Sequence, residues 1–190
     1  MRIVPESEIE TVFERQYCWG DDERYIYNRN RRKASVFGHF LRIEEVIQLV
    51  KTFSPGPRVA DLASAQGNFG LILDELGYDV TAVDIHPEFL RYANKKYTQG
   101  KFKTVQANLM DFRDPDKFDC VLAGEVIEHV AFPKQLLRSV YENLKEGGIC
   151  ILTTPNGADY SSKLPTFREV TNVEELIPKQ FHWGDHLFLY

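Results

Sequence analysis

The chain has few cysteines, no long apolar run and no excess of positive charge, and each shortage removes a class of protein. Cys18, Cys120 and Cys150 form no even, patterned set, so a disulfide framework is excluded and they read as reduced thiols. A catalytic cysteine is the lesser alternative. No stretch of eighteen consecutive apolar residues occurs, and Met1-Arg2-Ile3-Val4-Pro5-Glu6-Ser7-Glu8 lacks the apolar run of a secretion leader. The expected location is the cytoplasm, with no membrane partner. Lys and Arg number 23 against 28 Asp and Glu, a net charge of -5, which argues against broad electrostatic binding to duplex nucleic acid. With 190 residues the chain suits one α/β domain with a real core and has no room for a second enzyme-sized domain.

What the chain does have is a stretch from Val59 to Leu76 around which the rest is organised. A short apolar run ends in Asp61, a loop of Ala, Ser and Gly follows, and Leu71, Ile72, Leu73 and Leu76 then recur at helical spacing. Strand, tight turn and helix in that order make a ligand-binding turn of a doubly wound α/β sheet. The small side chains of Ala63, Ala65 and Gly67 let a ligand approach the backbone, and the following helix points unpaired N–H groups at the same place. Asp61 narrows the ligand. A dinucleotide would set its pyrophosphate beside that carboxylate, whereas S-adenosylmethionine carries no phosphate and offers an ammonium, a sulfonium and a ribose diol.

The pattern Asp61-x-Ala63-x-Ala65-x-Gly67 resembles the D-x-G-x-G-x-G loop of class I S-adenosylmethionine-dependent methyltransferases, with alanine at two of the three glycine positions. A nucleotide-binding turn from another α/β family is the alternative at this point. Further along, Gly77 closes the helix and Asp79 to Asp84 reads as a second strand ending in acid. Asp84 lies roughly twenty residues past the loop, where a carboxylate can accept both hydroxyls of a ribose. The competing role is a cap for the helix predicted over Pro87 to Tyr97.

A third strand is expected over Phe102 to Gln106 and a fourth over Phe118 to Ala123. A helix from Pro133, with an apolar stripe at Leu136, Leu137, Val140, Tyr141 and Leu144, is capped by Gly147-Gly148 and leads to a fifth strand at Ile149 to Thr153. A short helix follows near Val173 to Ile177. The fold class expected is α/β, a doubly wound, mostly parallel sheet flanked by helices. The resemblance covers about residues 35 to 190 and implies two more strands than the chain supplies, so C-terminal strands are expected to be missing. Residues 1–57 read as a helical cap segment and 58–190 as the cofactor-binding core. In the cap, a helix with a stripe at Leu41, Val46, Ile47 and Val50 ends at Ser54-Pro55-Gly56-Pro57. Ahead of it, Arg24 to Lys33 is either a contact for an acidic substrate or a solvated face pairing with Asp21, Asp22 and Glu23.

The resemblance assigns further cofactor positions: Ile85 after the second strand, Asn108 and Leu109 after the third, and Gly124 after the fourth. The family usually has an acid at the place of Asn108, to accept the adenine amino group; an Asn carbonyl can accept the same bond. A plain loop asparagine is the alternative. Glu125, Glu128 and His129 fall at i, i+3 and i+4, so a helical turn would set all three on one face. His129 is the candidate base, with Glu125 and Glu128 to orient it. Gly124-Glu125-Val126-Ile127-Glu128-His129-Val130 resembles the corresponding segment of ubiquinone-type O-methyltransferases and of small-RNA 3′-terminal 2′-O-methyltransferases. Thr154-Pro155-Asn156 is similar to a turn of the same families.

In the RNA enzymes a Glu-x-x-Glu-His run and the histidine of a D-H-x-F segment hold a divalent metal. Asp185-His186-Leu187-Phe188 resembles that segment, which adds His186 to the set. The reading adopted assigns no metal ligand and leaves a divalent metal as the alternative. Neither Asp-Pro-Pro-Tyr nor Asn-Pro-Pro-Tyr follows the fourth strand, which disfavours amide and adenine acceptors. The expectation is an O-methyltransferase acting on a small molecule. Its rivals are metal-assisted 2′-O-methylation of an RNA 3′ end and a non-catalytic S-adenosylmethionine-binding protein. Acceptor and oligomeric state stay open.

Overall fold

Five short runs form one sheet: the three central ones are apolar over a length that suits a strand buried on both faces, and the two edge ones, over 101–106 and 144–153, are more polar and more open. In the computed structural model these are β1 (Arg58–Leu62), β2 (Asp79–Asp84), β3 (Lys101–Gln106), β4 (Phe118–Gly124) and β5 (Leu144–Thr153). Their order is β3-β2-β1-β4-β5, and each ladder is parallel. The order reverses between β1 and β4, and the crevice outside the carboxyl ends of strands at such a point is where open α/β sheets take their ligands. The structure describes residues 1–12, 14–15, 34–157, 164–179, 186–187 and 190, with the side chains of 34–40 and 177–179 excluded. Cys18, the run from Arg24 to Lys33, Asp185 and Phe188 therefore lie outside the described residues.

Helices cover both faces. On one, α1 (Ala34–Phe53) and α2 (Asn68–Glu75) pack Ile43, Val46, Ile47, Val50, Leu71 and Leu73 against Val59, Val80 and Leu122. On the other, α4 (Pro133–Asn143) sets Leu136 and Val140 against Val121, Phe118 and Phe112. Between β2 and β3, α3 (Pro87–Lys96) buries Phe89, Leu90, Tyr92 and Ala93. Among the described residues no helix is long and apolar enough to cross a membrane.

Four details depart from the sequence expectation. The stripe of α1 buries Ile43, and Leu41 is exposed, because the helix turns its 43–46–47–50 face to the sheet. In α4 Leu137 and Tyr141 are exposed, and the buried stripe is completed by two polar residues, Ser139 and Asn143. Asn143 donates to the Phe112 carbonyl at 2.8 Å and accepts the Asp114 N–H at 2.9 Å; Ser139 donates to the Leu109 carbonyl at 2.5 Å. These bonds tie the loop after β3 to α4, a use of polar residues that an apolar count cannot register. The third departure is that β5 begins at Leu144, opposite Phe118, and an irregularity in the β4–β5 ladder lets Gly147 adopt φ 74° within the strand. Gly147-Gly148 is thus part of β5, and α4 ends at Asn143. Finally, the short helix expected near Val173 to Ile177 is of the 3-10 type and runs over Glu174–Lys179.

Candidate active site

The loop between β1 and α2 shows why its family pattern calls for glycine. Ala63, Ala65 and Gly67 have φ of 56°, 45° and 74°, so all three positions are left-handed, two of them with a Cβ. A non-glycine residue costs about 1–2 kcal/mol there. A Cβ on Gly67 would also come within 3.0 Å of Ala93 and 3.2 Å of Phe102, so this glycine is needed for space as well as conformation. Glycine at 63 and 65 relieves strain at each position but loses about 0.5–1 kcal/mol to backbone entropy. Ala63→Gly with Ala65→Gly is therefore expected to raise the melting temperature by about 2–4 °C, read by calorimetry or circular dichroism; a lower melting temperature would contradict the strain argument.

Two carboxylates brace this loop. Asp61, at the end of β1, is 3 % exposed and accepts the Gly70 N–H at 3.2 Å. Burial pushes its carboxyl up to about 7, against the pull of the Gly70 bond and with a further push from Asp84. Asp84, at the end of β2, accepts the Ala65 N–H on Oδ2 and the His86 N–H on Oδ1, both at 2.9 Å. Its carboxyl is also raised, by burial, with the His86 and Ala65 bonds opposing. Asp84 thus links the loop after β1 to the turn that carries Ile85, whose side chain is exposed.

After β3, Asn108 turns its side-chain oxygen to the Met110 N–H at 3.0 Å, and its backbone oxygen accepts from Asp111 and Phe112. An amide oxygen has a second lone pair, which leaves it able to accept once more. Leu109 is partly buried against the cluster of Phe112, Val126 and Val130.

Beyond β4 the expected helical turn does not form. Gly124 closes the strand, Glu125 sits at φ 51°, and only Ile127–His129 makes a 3-10 turn. Glu125, Glu128 and His129 consequently do not share one face. Glu125 points to α1, where Arg42 Nη1 is 2.9 Å from its Oε2 and the guanidinium lies 5.9 Å from the centre of the Phe69 ring. Glu128 turns inward and is fully buried, with Oε2 accepting from the Thr154 hydroxyl at 3.1 Å and Oε1 lying 4.0 Å from His129 Nε2. Burial raises its carboxyl, and the charge on Glu125 adds to that. The rings of His129 and His186 meet edge to face at 4.8 Å, and the Glu128 carbonyl accepts the Leu187 N–H at 2.8 Å. Donor atoms of Glu128, His129 and His186 all lie within 4.8 Å of one another.

The sequence reading missed Arg42 and the hydroxyls of Thr153 and Thr154. Thr153 Oγ1 is buried without a hydrogen-bond partner beside Gly124, 3.5 Å from where a Cβ on that glycine would stand. No spacing rule links α1 or β5 to the turn after β4, so only the assembled sheet reveals them.

A family described as a methyltransferase domain matches residues 60–152. In sheet order, in the loop after β1 and in this match the chain is similar to the class I S-adenosylmethionine-dependent methyltransferases. Its curated relatives include the ubiquinone biosynthesis O-methyltransferase of Xanthomonas campestris, 30% identical over 125 residues that are 58% of this chain and 52% of that protein. The mitochondrial enzyme of the same description from Schizosaccharomyces pombe is 28% identical over 169 residues, 86% of this chain and 59% of its own. The chain thus spans between half and three-fifths of these relatives. In fold it is similar to the N-methyltransferase NodS of Bradyrhizobium japonicum, with a TM-score of 0.57, 16% identity, and 63% and 70% of the two chains covered. A methyltransferase of Mesorhizobium loti gives a TM-score of 0.54 at 22% identity, covering 62% and 54%.

Proposed function

We propose that this chain transfers the methyl group of S-adenosylmethionine to an oxygen of a small-molecule acceptor, with His129 taking the acceptor's proton. The observation that carries this reading is the pairing of His129 with the buried Glu128 at the carboxyl end of β4, across the switch point from the Asp61 and Asp84 loop. The O-methyltransferase names of the curated relatives support the choice of oxygen. An acceptor oxygen lone pair forms the new C–O bond in line with the C–S bond that breaks. The C–S electron pair returns to sulfur, giving S-adenosylhomocysteine, and the acceptor proton passes to the imidazole. In this scheme Glu128, whose Oε1 stands 4.0 Å from the ring, supplies a neighbouring carboxyl that stabilises the imidazolium, and Glu125, occupied by Arg42, takes no part in the proton transfer. Asp61, Ala63, Gly67, Asp84, Ile85, Asn108, Leu109 and Gly124 would line the cofactor side. A cytoplasmic setting belongs to the same proposal and rests on the composition.

The test is methyl transfer from labelled S-adenosylmethionine to a panel of phenols, catechols and sugars. His129→Ala is expected to lower kcat on the order of 10²–10⁴-fold, with S-adenosylmethionine affinity unchanged by calorimetry. Unaltered turnover in the variant would remove His129 from the mechanism, and failure of every acceptor despite tight cofactor binding would favour a non-catalytic binding protein.

A second reading, metal-assisted methylation of an RNA 3′ end, is favoured by one observation: Glu128 Oε1 is buried without a hydrogen-bond partner beside two imidazoles. One carboxylate and two nitrogens suit a divalent transition metal such as zinc or manganese, which would supply Lewis acidity at a vicinal diol. Metal analysis of the purified chain, with titration of manganese into His186→Ala and the unaltered protein, separates the readings. Equal, negligible uptake by both removes the metal.

A further inference from the structure

The cofactor loop is pinned from its ligand side by Asp84, and a third group pins it from behind. Lys96, in the last turn of α3, is only 2 % exposed. Its ammonium donates to Asn68 Oδ1 at 2.5 Å and stands 5.1 Å from the centre of the Tyr92 ring, which is itself buried. Lysine is rarely buried to this degree, because losing hydration disfavours the charged form. A methionine would fill similar space with no such penalty. Among the described residues, the hydrogen bond this amine makes is to Asn68.

Asn68 is the first residue of α2, and it follows three left-handed residues at 63, 65 and 67. Gly67, at the N-cap position, has no side chain with which to cap the helix. A strained loop persists only where its surroundings over-determine it. Asp84 fixes Ala65, Asp61 fixes Gly70, and Asn68 stands between them. The α3 terminus is itself anchored, since the Lys96 carbonyl accepts the Arg2 N–H at 2.8 Å and the Lys95 ammonium reaches Glu14 at 3.1 Å. We propose that Lys96 is a positioning residue for S-adenosylmethionine: through Asn68 it sets where α2 begins, and so where the first N–H groups of that helix face the cofactor.

The inference rests on the assignment of the 63–67 loop to the cofactor, so the experiment carries a control for that assignment. Calorimetric titration with S-adenosylmethionine, and separately with S-adenosylhomocysteine, is performed on Lys96→Met, Asn68→Leu, the double variant, Asn68→Asp and Asp84→Ala. The first two are each expected to weaken both ligands about tenfold, the typical worth of one charge-assisted hydrogen bond. The double variant should be no weaker than the weaker single one, because the Lys96–Asn68 bond is lost in all three. Asn68→Asp keeps an acceptor for the ammonium and should retain the affinity. A folded Lys96→Met with unaltered affinity, or a double variant whose loss is the product of the two single losses, overturns the proposal. Retained affinity in Asp84→Ala would overturn the loop assignment and this inference with it. Loss in Asp84→Ala alone overturns only the role of Lys96.

Discussion

Asp84→Ala is expected to weaken S-adenosylmethionine binding on the order of 10²–10³-fold, the largest effect of any single change on cofactor affinity. The carboxylate accepts two backbone N–H groups, from Ala65 and His86, and so fixes the loop after β1, the proposed cofactor loop, relative to the turn after β2. Its remaining lone pairs are the proposed acceptors for the ribose hydroxyls. Alanine removes both functions together and leaves two donors in a largely buried place, each worth about 1–3 kcal/mol if unsatisfied. Removal of a buried charge offsets part of that cost, since burial raises the Asp84 carboxyl in the folded chain. The melting temperature should therefore fall only modestly while affinity collapses. Calorimetric titration checks the first expectation and a thermal melt the second. A large drop in melting temperature with affinity intact would mean that Asp84 is a scaffold residue alone.

Asp61→Asn should move stability and binding in opposite directions. The Asp61 carboxyl, raised from 3.8 to about 7 by burial, is more readily protonated in the folded chain than in the unfolded one. The stability this contributes is fully present below the unfolded value and is lost as pH rises through 7. An asparagine carries no charge at any of these pH values and can still accept the Gly70 N–H. The variant should therefore already be somewhat more stable than the original protein at pH 5, with the gap widening up to pH 7 and level above it. The full shift corresponds to about 4 kcal/mol at 1.36 kcal/mol per unit, and relaxation around a charged carboxylate reduces this to about 2 kcal/mol. Cofactor binding should respond the other way. A cationic ligand favours the ionised form, so affinity of the unaltered chain should tighten roughly tenfold per pH unit below 7 and level off above it. In Asp61→Asn that pH dependence should vanish, with affinity reduced. Denaturant unfolding and calorimetry at pH 5, 6, 7 and 8 measure both. Equal stabilities at pH 8 would show that Asp61 is not strongly desolvated.

Local chemistry made much of this readable in advance. Five strands, the α/β class and the acid-ended β1 and β2 follow from apolar runs, helical spacing and turn residues, which act within a few positions of one another. The loop was legible for the same reason: strand, small residues and helix lie in one continuous stretch, and its three left-handed positions fall where the family pattern has glycine. The errors arose where a nonlocal partner overrode spacing. An i, i+3, i+4 pattern puts Glu125, Glu128 and His129 together only if the backbone there is helical, and Arg42 of α1 instead draws Glu125 away at φ 51°. Counting apolar residues misassigned the faces of α4, because Ser139 and Asn143 are buried to bind the loop after β3.

What the sequence alone determined, then, is the set of elements, their order and the left-handed loop between β1 and α2, all carried by interactions short in chain distance. The tertiary structure decided which polar groups meet: Lys96 with Asn68, Arg42 with Glu125, and His129 with His186 and the buried Glu128. Each of the first two pairs joins different elements, and the third joins the turn after β4 to a residue 57 positions further on (186 − 129). Such contacts depend on how helices and loops pack over the sheet, and burial then sets the charge state of the groups they bring together.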